Sequence, residues 1–187
     1  MKKLLLTLSV FLINVLAVSA VDVQDFEFYQ KQITAQRVPY TASGFMNSAM
    51  AGKSQIVEYF IKSGMDINTT VMGMTPLLAA VYKNQPEVVE LLLKNGADVE
   101  KANPDFNPLI CAIYKKNSDN VALLIKYGAD VNKEFKNKKP LNFAISKNQD
   151  IITEQLINAG AIIDNAARKS AEKSKNEFIK DIVFKHN

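Results

Sequence analysis

Four glycines, Gly64, Gly96, Gly128 and Gly160, stand 32 residues apart along the chain. Around them run GMDIN, GADVE, GADVN and GAIID. Pro76, Pro108 and Pro140 keep the same interval, and each is followed by a leucine, Leu77, Leu109 or Leu141. Ser48, Ala80, Ala112 and Ala144 form a column of small residues. A period of this length confines a chain to an array. One unit is too small to bury its apolar face alone, so units must stack, and each contacts only its neighbours.

Within a copy, the pattern predicts two helices. Pro76 falls where a first helical turn has no use for an N–H. Leu77, Ala80 and Val81 then share one face at a period of 3.6. Asn84 ends that helix and enters the left-handed region, which Asn tolerates better than most residues. Pro86 and Glu87 open the second helix, whose inner face is Val88, Val89, Leu92 and Leu93. Gly96 lies just past its C-cap. Residues 98–107 are too short and polar for a third helix and are expected to form an extended turn.

The stretch MTPLLAAVYKNQPEVVELLLKNGADVE resembles an ankyrin repeat of the TPLHxAA…VVxLLLxxGADVN form. Four copies cover residues 39–164, the first being the most degenerate. The resemblance implies an all-α solenoid of stacked helix pairs with short β-turn fingers. It also implies a non-catalytic scaffold that binds another protein. The chain departs from the pattern in places. The period is one residue shorter than usual. The His of TPLH is replaced by Leu78, Ile110 and Asn142, and its Thr survives only as Thr75, with Asn107 and Lys139 in later copies. The Thr–His bracing of the family is therefore not expected here.

Both ends of such an array need polar-faced caps. Residues 21–38 read as an N-terminal capping helix that covers the first repeat, with Phe26, Tyr29 and Ile33 on one face. Residues 165–187 read as a closing helix pair. Ser174 and Glu177 have the spacing of a capping box, which would open its second helix.

Residues 1–20 read as a cleaved signal peptide: Lys2 and Lys3, an apolar core, then Val18-Ser19-Ala20. Cleavage after Ala20 removes two lysines and no acid, lowering the formal charge from +4 to +2. So weak a charge implies no strong phosphate-binding field and no nucleic-acid partner. No later stretch is apolar for long enough to span a membrane. The expected location is the bacterial periplasm or beyond, and the expected state is a monomer.

Groups able to do chemistry are scarce. His186 is the only histidine, and Cys111 the only cysteine. Cys111 shares a column with Ala79 and Phe143 and is expected to pack in the core. One cysteine and one terminal histidine cannot make a zinc site. The sequence contains no GxGxxG, Walker or GxSxG motif. Asp66, Asp98 and Asp130 fall on repeat turns, where Asp bonds its own backbone. No enzyme activity, metal or cofactor is expected. Asn68-Thr69-Thr70 matches a glycan acceptor, but Asp-x-Asn is part of the repeat itself.

The resemblance places partner contacts on finger tips and first-helix ends. By position these are Tyr40, Met50, Met72, Met74, Tyr82, Lys83, Phe106, Tyr114, Lys115, Phe135, Lys136, Lys138 and Lys147. Aromatics and Met are enriched at interface centres. Phe106 and Phe135 either project as contacts or fold under their fingers. The column Lys83, Lys115 and Lys147 is explained by helix ends, where a cation offsets the helix dipole. NKEFKNKKP, residues 132–140, is different: four lysines surround Phe135 on one finger. Together these residues fit a partner with an acidic, partly apolar surface. Secreted proteins that resemble this one include toxin-neutralising immunity proteins and accessories of catalases, with haem delivery as one suggested role. The residues do not choose between them, although the missing His and Met ligand set argues against tight haem ligation.

Overall fold

The computed structural model describes residues 23–101 and 103–185. The expected leader and His186 lie outside them. Eleven helices are present among the described residues. They are α1 (Val23–Ala35), α2 (Ala42–Met50), α3 (Ser54–Lys62), α4 (Pro76–Tyr82), α5 (Pro86–Lys94) and α6 (Pro108–Lys115). Then follow α7 (Ser118–Lys126), α8 (Pro140–Ser146), α9 (Asp150–Asn158), α10 (Asn165–Lys173) and α11 (Glu177–Lys185). The fold is all-α, and the helices stack in two rows. First helices α2, α4, α6, α8 and α10 pack on one another in chain order, and second helices α3, α5, α7, α9 and α11 do the same. The core is the seam between the rows. Its members recur in register, such as Leu77, Leu109 and Leu141, and Val57, Val89 and Val121.

The first helices α2, α4, α6 and α8 stop because the chain turns left-handed. The column Gly52, Asn84, Lys116 and Asn148 has φ of 71°, 55°, 59° and 58°. Asn84 thus behaves as its residue type predicts, and Lys116 takes a conformation that costs an ordinary side chain about 1–2 kcal/mol. Gly52 is doubly required, since a Cβ there would come within 2.4 Å of the Gln85 side chain. Second helices end at Gly64, Gly96, Gly128 and Gly160, all at positive φ.

The missing Thr–His bracing has substitutes. Thr75 Oγ1 caps α4 by accepting from Leu78 N, and Asn107 Oδ1 caps α6 by accepting from Ile110 N. Between repeats, side-chain amides form a ladder. Gln85 donates to the Met50 carbonyl, Asn117 to Val81 and Gln149 to Ile113. A second ladder ties the fingers. Asn68, Glu100 and Asn132 accept from the backbone N–H of Asp98, Asp130 and Ile162. Asn68, the glycan-acceptor match, is therefore an inter-repeat brace. Asp66, Asp98 and Asp130 accept from the N–H two residues on, as the turn reading expects.

The caps differ from expectation in two respects. Helix α1 packs on α3, in the second-helix row, so it covers half of the first repeat rather than all of it. Its Ile33 is buried, and Phe26 and Tyr29 are half-buried. At the other end, the N-cap of α11 is Asn176, not Ser174. Asn176 Oδ1 accepts from Phe178 N at 3.0 Å, whereas Ser174 Oγ accepts from Asn176 N and turns the chain out of α10. The Ser-x-x-Glu spacing concealed a stronger cap one residue before the helix, because Asn caps at least as well as Ser. Ile179, Ile182 and Val183 are buried as expected, while Phe178 is exposed.

Candidate protein-binding face

The fingers and first helices form one wall of the solenoid. The first and third of its fingers turn as two-residue hairpins. Antiparallel bridges join Val71 to Met74 and Phe135 to Lys138. Met72 and Gly73, like Lys136 and Asn137, take positive φ, the signature of a tight turn whose twist matches its strands. The middle finger carries Pro104 in the corresponding place, and proline cannot take positive φ. There Asn103 Oδ1 accepts from Asp105 N and Phe106 N instead. Met72, at the tip of the first finger, is fully exposed. Met74, Phe106 and Phe135 fold back and pack half-buried against the core edge.

The structure gathers some of the expected contact residues and separates others. Phe106 and Tyr114 meet with ring centroids 5.3 Å apart, and Tyr114 remains exposed. Lys115 lies over the Tyr82 ring at 4.1 Å, reaching back one repeat, and Lys83 approaches the same ring at 6.0 Å. Tyr40 belongs to a different cluster. Its ring stacks on Phe60, its hydroxyl donates to Ser63 Oγ at 2.9 Å, and burial raises its phenol above the ordinary value. Met50 is half-buried, with its carbonyl engaged by Gln85. Lys136 pairs with Asp105 of the preceding finger at 3.5 Å.

Phe143, absent from the expected contact residues, is a member of this wall. Its column mates Ala79 and Cys111 are fully buried, and burial pushes the Cys111 thiol up to about 12. Phe143 stays half-exposed because the closing pair brings no finger. Only residues 161–164 connect Gly160 to α10. This leaves a cleft of about 340 Å3, lined by Phe143, Lys138, Lys139, Asn142, Ser146 and Asp164 among others. Lys138 and Lys147 flank the Phe143 ring at 5.2 and 5.7 Å. The effect of this short connection on Phe143 was not legible in sequence.

Lys139 stands where Thr75 caps α4, and it cannot cap α8. Its Nζ instead pairs with Asp164 at 2.8 Å. Asp164 also caps α10 through Ala167 N. With Lys139 first and Ala167 second in effect, its carboxyl is held down to about 2.

Among the described residues no carboxylate lies within 4 Å of Lys83, Lys115, Lys138 or Lys147. Their ammonium groups rest on aromatic rings, where attraction is modest and the charge stays available. The described residues also contain no cluster of three or more acidic, His or Cys side chains able to hold a metal, and no helix long and apolar enough to cross a membrane.

This geometry agrees with the comparisons. The family model for ankyrin repeats in three copies matches residues 20–103, and the single ankyrin repeat model matches residues 105–135. Together they span more than half of the chain, and the protein belongs to the ankyrin repeat family. The first match takes in α1, which stacks where a second helix of a repeat would. Helices α8 and α9 continue the array beyond the second. The family consists typically of non-catalytic modules that bind other proteins. No match was found among curated proteins.

Proposed function

We propose that this chain is a non-catalytic scaffold of the bacterial periplasm that grips one protein partner through its finger and first-helix wall, as an adaptor, inhibitor or immunity-type protein. One observation carries the reading: Lys83, Lys115, Lys138 and Lys147 are laid on aromatic rings with no carboxylate in reach. Desolvated apolar surface beside steering charge is the combination that binds proteins selectively. The location rests on the lysine-led apolar segment ending at Ala20. Sequencing the N-terminus of the protein recovered from a periplasmic fraction tests it, with Val21 as the expected first residue. The binding wall is tested by capture from envelope extract with the wild-type chain and a Tyr82→Ala, Lys115→Glu variant. Loss of the captured partner supports the assignment; unchanged capture moves the interface elsewhere.

A further inference from the structure

We infer, resting on the export reading above, that Asn68 is a glycosylation site, modified at Nδ2 by an oligosaccharide delivered on a lipid pyrophosphate. Two equivalent turns of the array show why this asparagine differs from its counterpart. Copies one and three both carry Asp-x-Asn after the second helix, as Asp66-Ile67-Asn68 and Asp130-Val131-Asn132. Copies two and four have Glu100 and Asp164 in place of the Asn. In both Asn turns the Asp carboxylate accepts from the Asn N–H. In both, the Asn Oδ1 also accepts from a backbone N–H of the next copy.

The two amides differ at their nitrogens. Asn132 Nδ2 donates to the Gly160 carbonyl at 3.1 Å, and the residue two places on is Glu134. Asn68 Nδ2 has no acceptor among the described residues and is open to solvent. Two places on stands Thr70, exposed. Asn68-Thr69-Thr70 is the only Asn-x-Ser/Thr triplet of the sequence, the signal for attachment of a glycan to Asn. Asp66 supplies the acid, two residues before the Asn, that the bacterial form of the signal carries.

The chemistry suits this amide. The Asn68 nitrogen forms a bond to the anomeric carbon of the sugar. The bond from that carbon to the pyrophosphate oxygen breaks, the lipid pyrophosphate leaves with the electron pair, and one Nδ2 proton passes to solvent. Nothing is oxidised or reduced. Oδ1 takes no part, so it keeps the Asp98 N–H at 2.8 Å, and brace and sugar coexist. The same attachment at Asn132 would cost the bond to Gly160. A glycan is bulky and needs open surface, which Nδ2 of Asn68 has.

Intact-mass spectrometry of the full chain recovered from a periplasmic fraction tests the assignment. The wild type is expected to exceed the mass of a chain starting at Val21 by a whole number of sugar residues. The increment should travel with the tryptic peptide that holds Asn68. Asn68→Gln and Thr70→Val should both lose it completely, whereas Thr70→Ser, which keeps the hydroxyl, should retain it. Thr70→Val leaves the Asn68 brace in place, and its urea midpoint confirms that loss of the sugar is not loss of the fold. A bare mass on a wild-type chain that starts at Val21 overturns the glycan and leaves the export reading standing. An increment that survives Asn68→Gln or Thr70→Val overturns it as well. A bare chain that still carries residues 1–20 overturns both.

Discussion

Two sets of lysines, one on each wall of this solenoid, find different partners. On the second helices, Lys62 pairs with Glu58, while Lys94 and Lys126 share Glu90. Lys62–Glu58 and Lys94–Glu90 are i,i+4 pairs on one helix, whereas Lys126, with Ala122 four residues before it, reaches Glu90 of the preceding repeat. On the first helices and fingers, Lys83, Lys115, Lys138 and Lys147 lie on rings instead. The second-helix column is paired throughout, although Lys62 and Lys126 also lie near the Tyr29 and Tyr127 rings, while the other wall keeps these four unpaired lysines beside the paired Lys133, Lys136 and Lys139. The repeat alone does not cause this, since both lysine columns sit at helix ends. Stacking supplies only part of the difference: Lys115 reaches Tyr82 across repeats, while Lys83, Lys138 and Lys147 meet rings within five positions of their own.

The largest expected effect contrasts two phenylalanines. Phe60 is fully buried, and Phe60→Ala should cost about 3–5 kcal/mol in urea unfolding. Phe143→Ala, on the open wall, should cost clearly less while weakening binding. Equal costs would show that Phe143 serves packing and not the partner. Next comes the amide ladder that joins the walls. Gln149→Ala removes the side-chain donor to the Ile113 carbonyl, which keeps its bond from Lys116 N, and should cost about 0.5–1.5 kcal/mol. A change below a few tenths would mean the brace is replaced by water.

Acid should act on the open wall's far end. Asp164 is held at about 2, below its ordinary 3.8, so its contribution is complete above about pH 4 and is lost as pH falls toward 2. Asp164→Asn keeps a capping side chain but removes the charge facing Lys139, and should flatten that part of the stability profile. A profile identical to wild type would place acid sensitivity elsewhere. Lys116→Gly relieves a left-handed lysine and should stabilise by up to about 1 kcal/mol, net of the freedom glycine adds to the unfolded chain. The smallest change is expected from Lys83→Gln, with the urea midpoint unmoved but affinity for an acidic partner reduced. A shifted midpoint would show that the ring contact serves stability.

The array, its helix pairs and the left-handed Asn84 were legible in residue columns, because periodicity and backbone preference are local properties. The finger readings were legible in part. Met72 projects, while Phe106 and Phe135 turn back, and nothing in their own neighbourhoods distinguishes these outcomes. The exposure of Phe143 was not legible for a related reason. Its column mates are buried, but the neighbour that would bury it is the absent fourth finger.

By itself, then, the sequence determined the repeat, the fold class, the turn chemistry and the shortage of catalytic groups. Each follows from residue type and spacing along one chain. The tertiary structure alone decided which lysines find acids, which rings they cover, how amides replace the missing Thr–His braces, and where a cleft opens. The contacts between repeats, such as Lys115 on Tyr82 and Gln149 on Ile113, join residues some 22–37 positions apart, which only stacking brings within reach of one another.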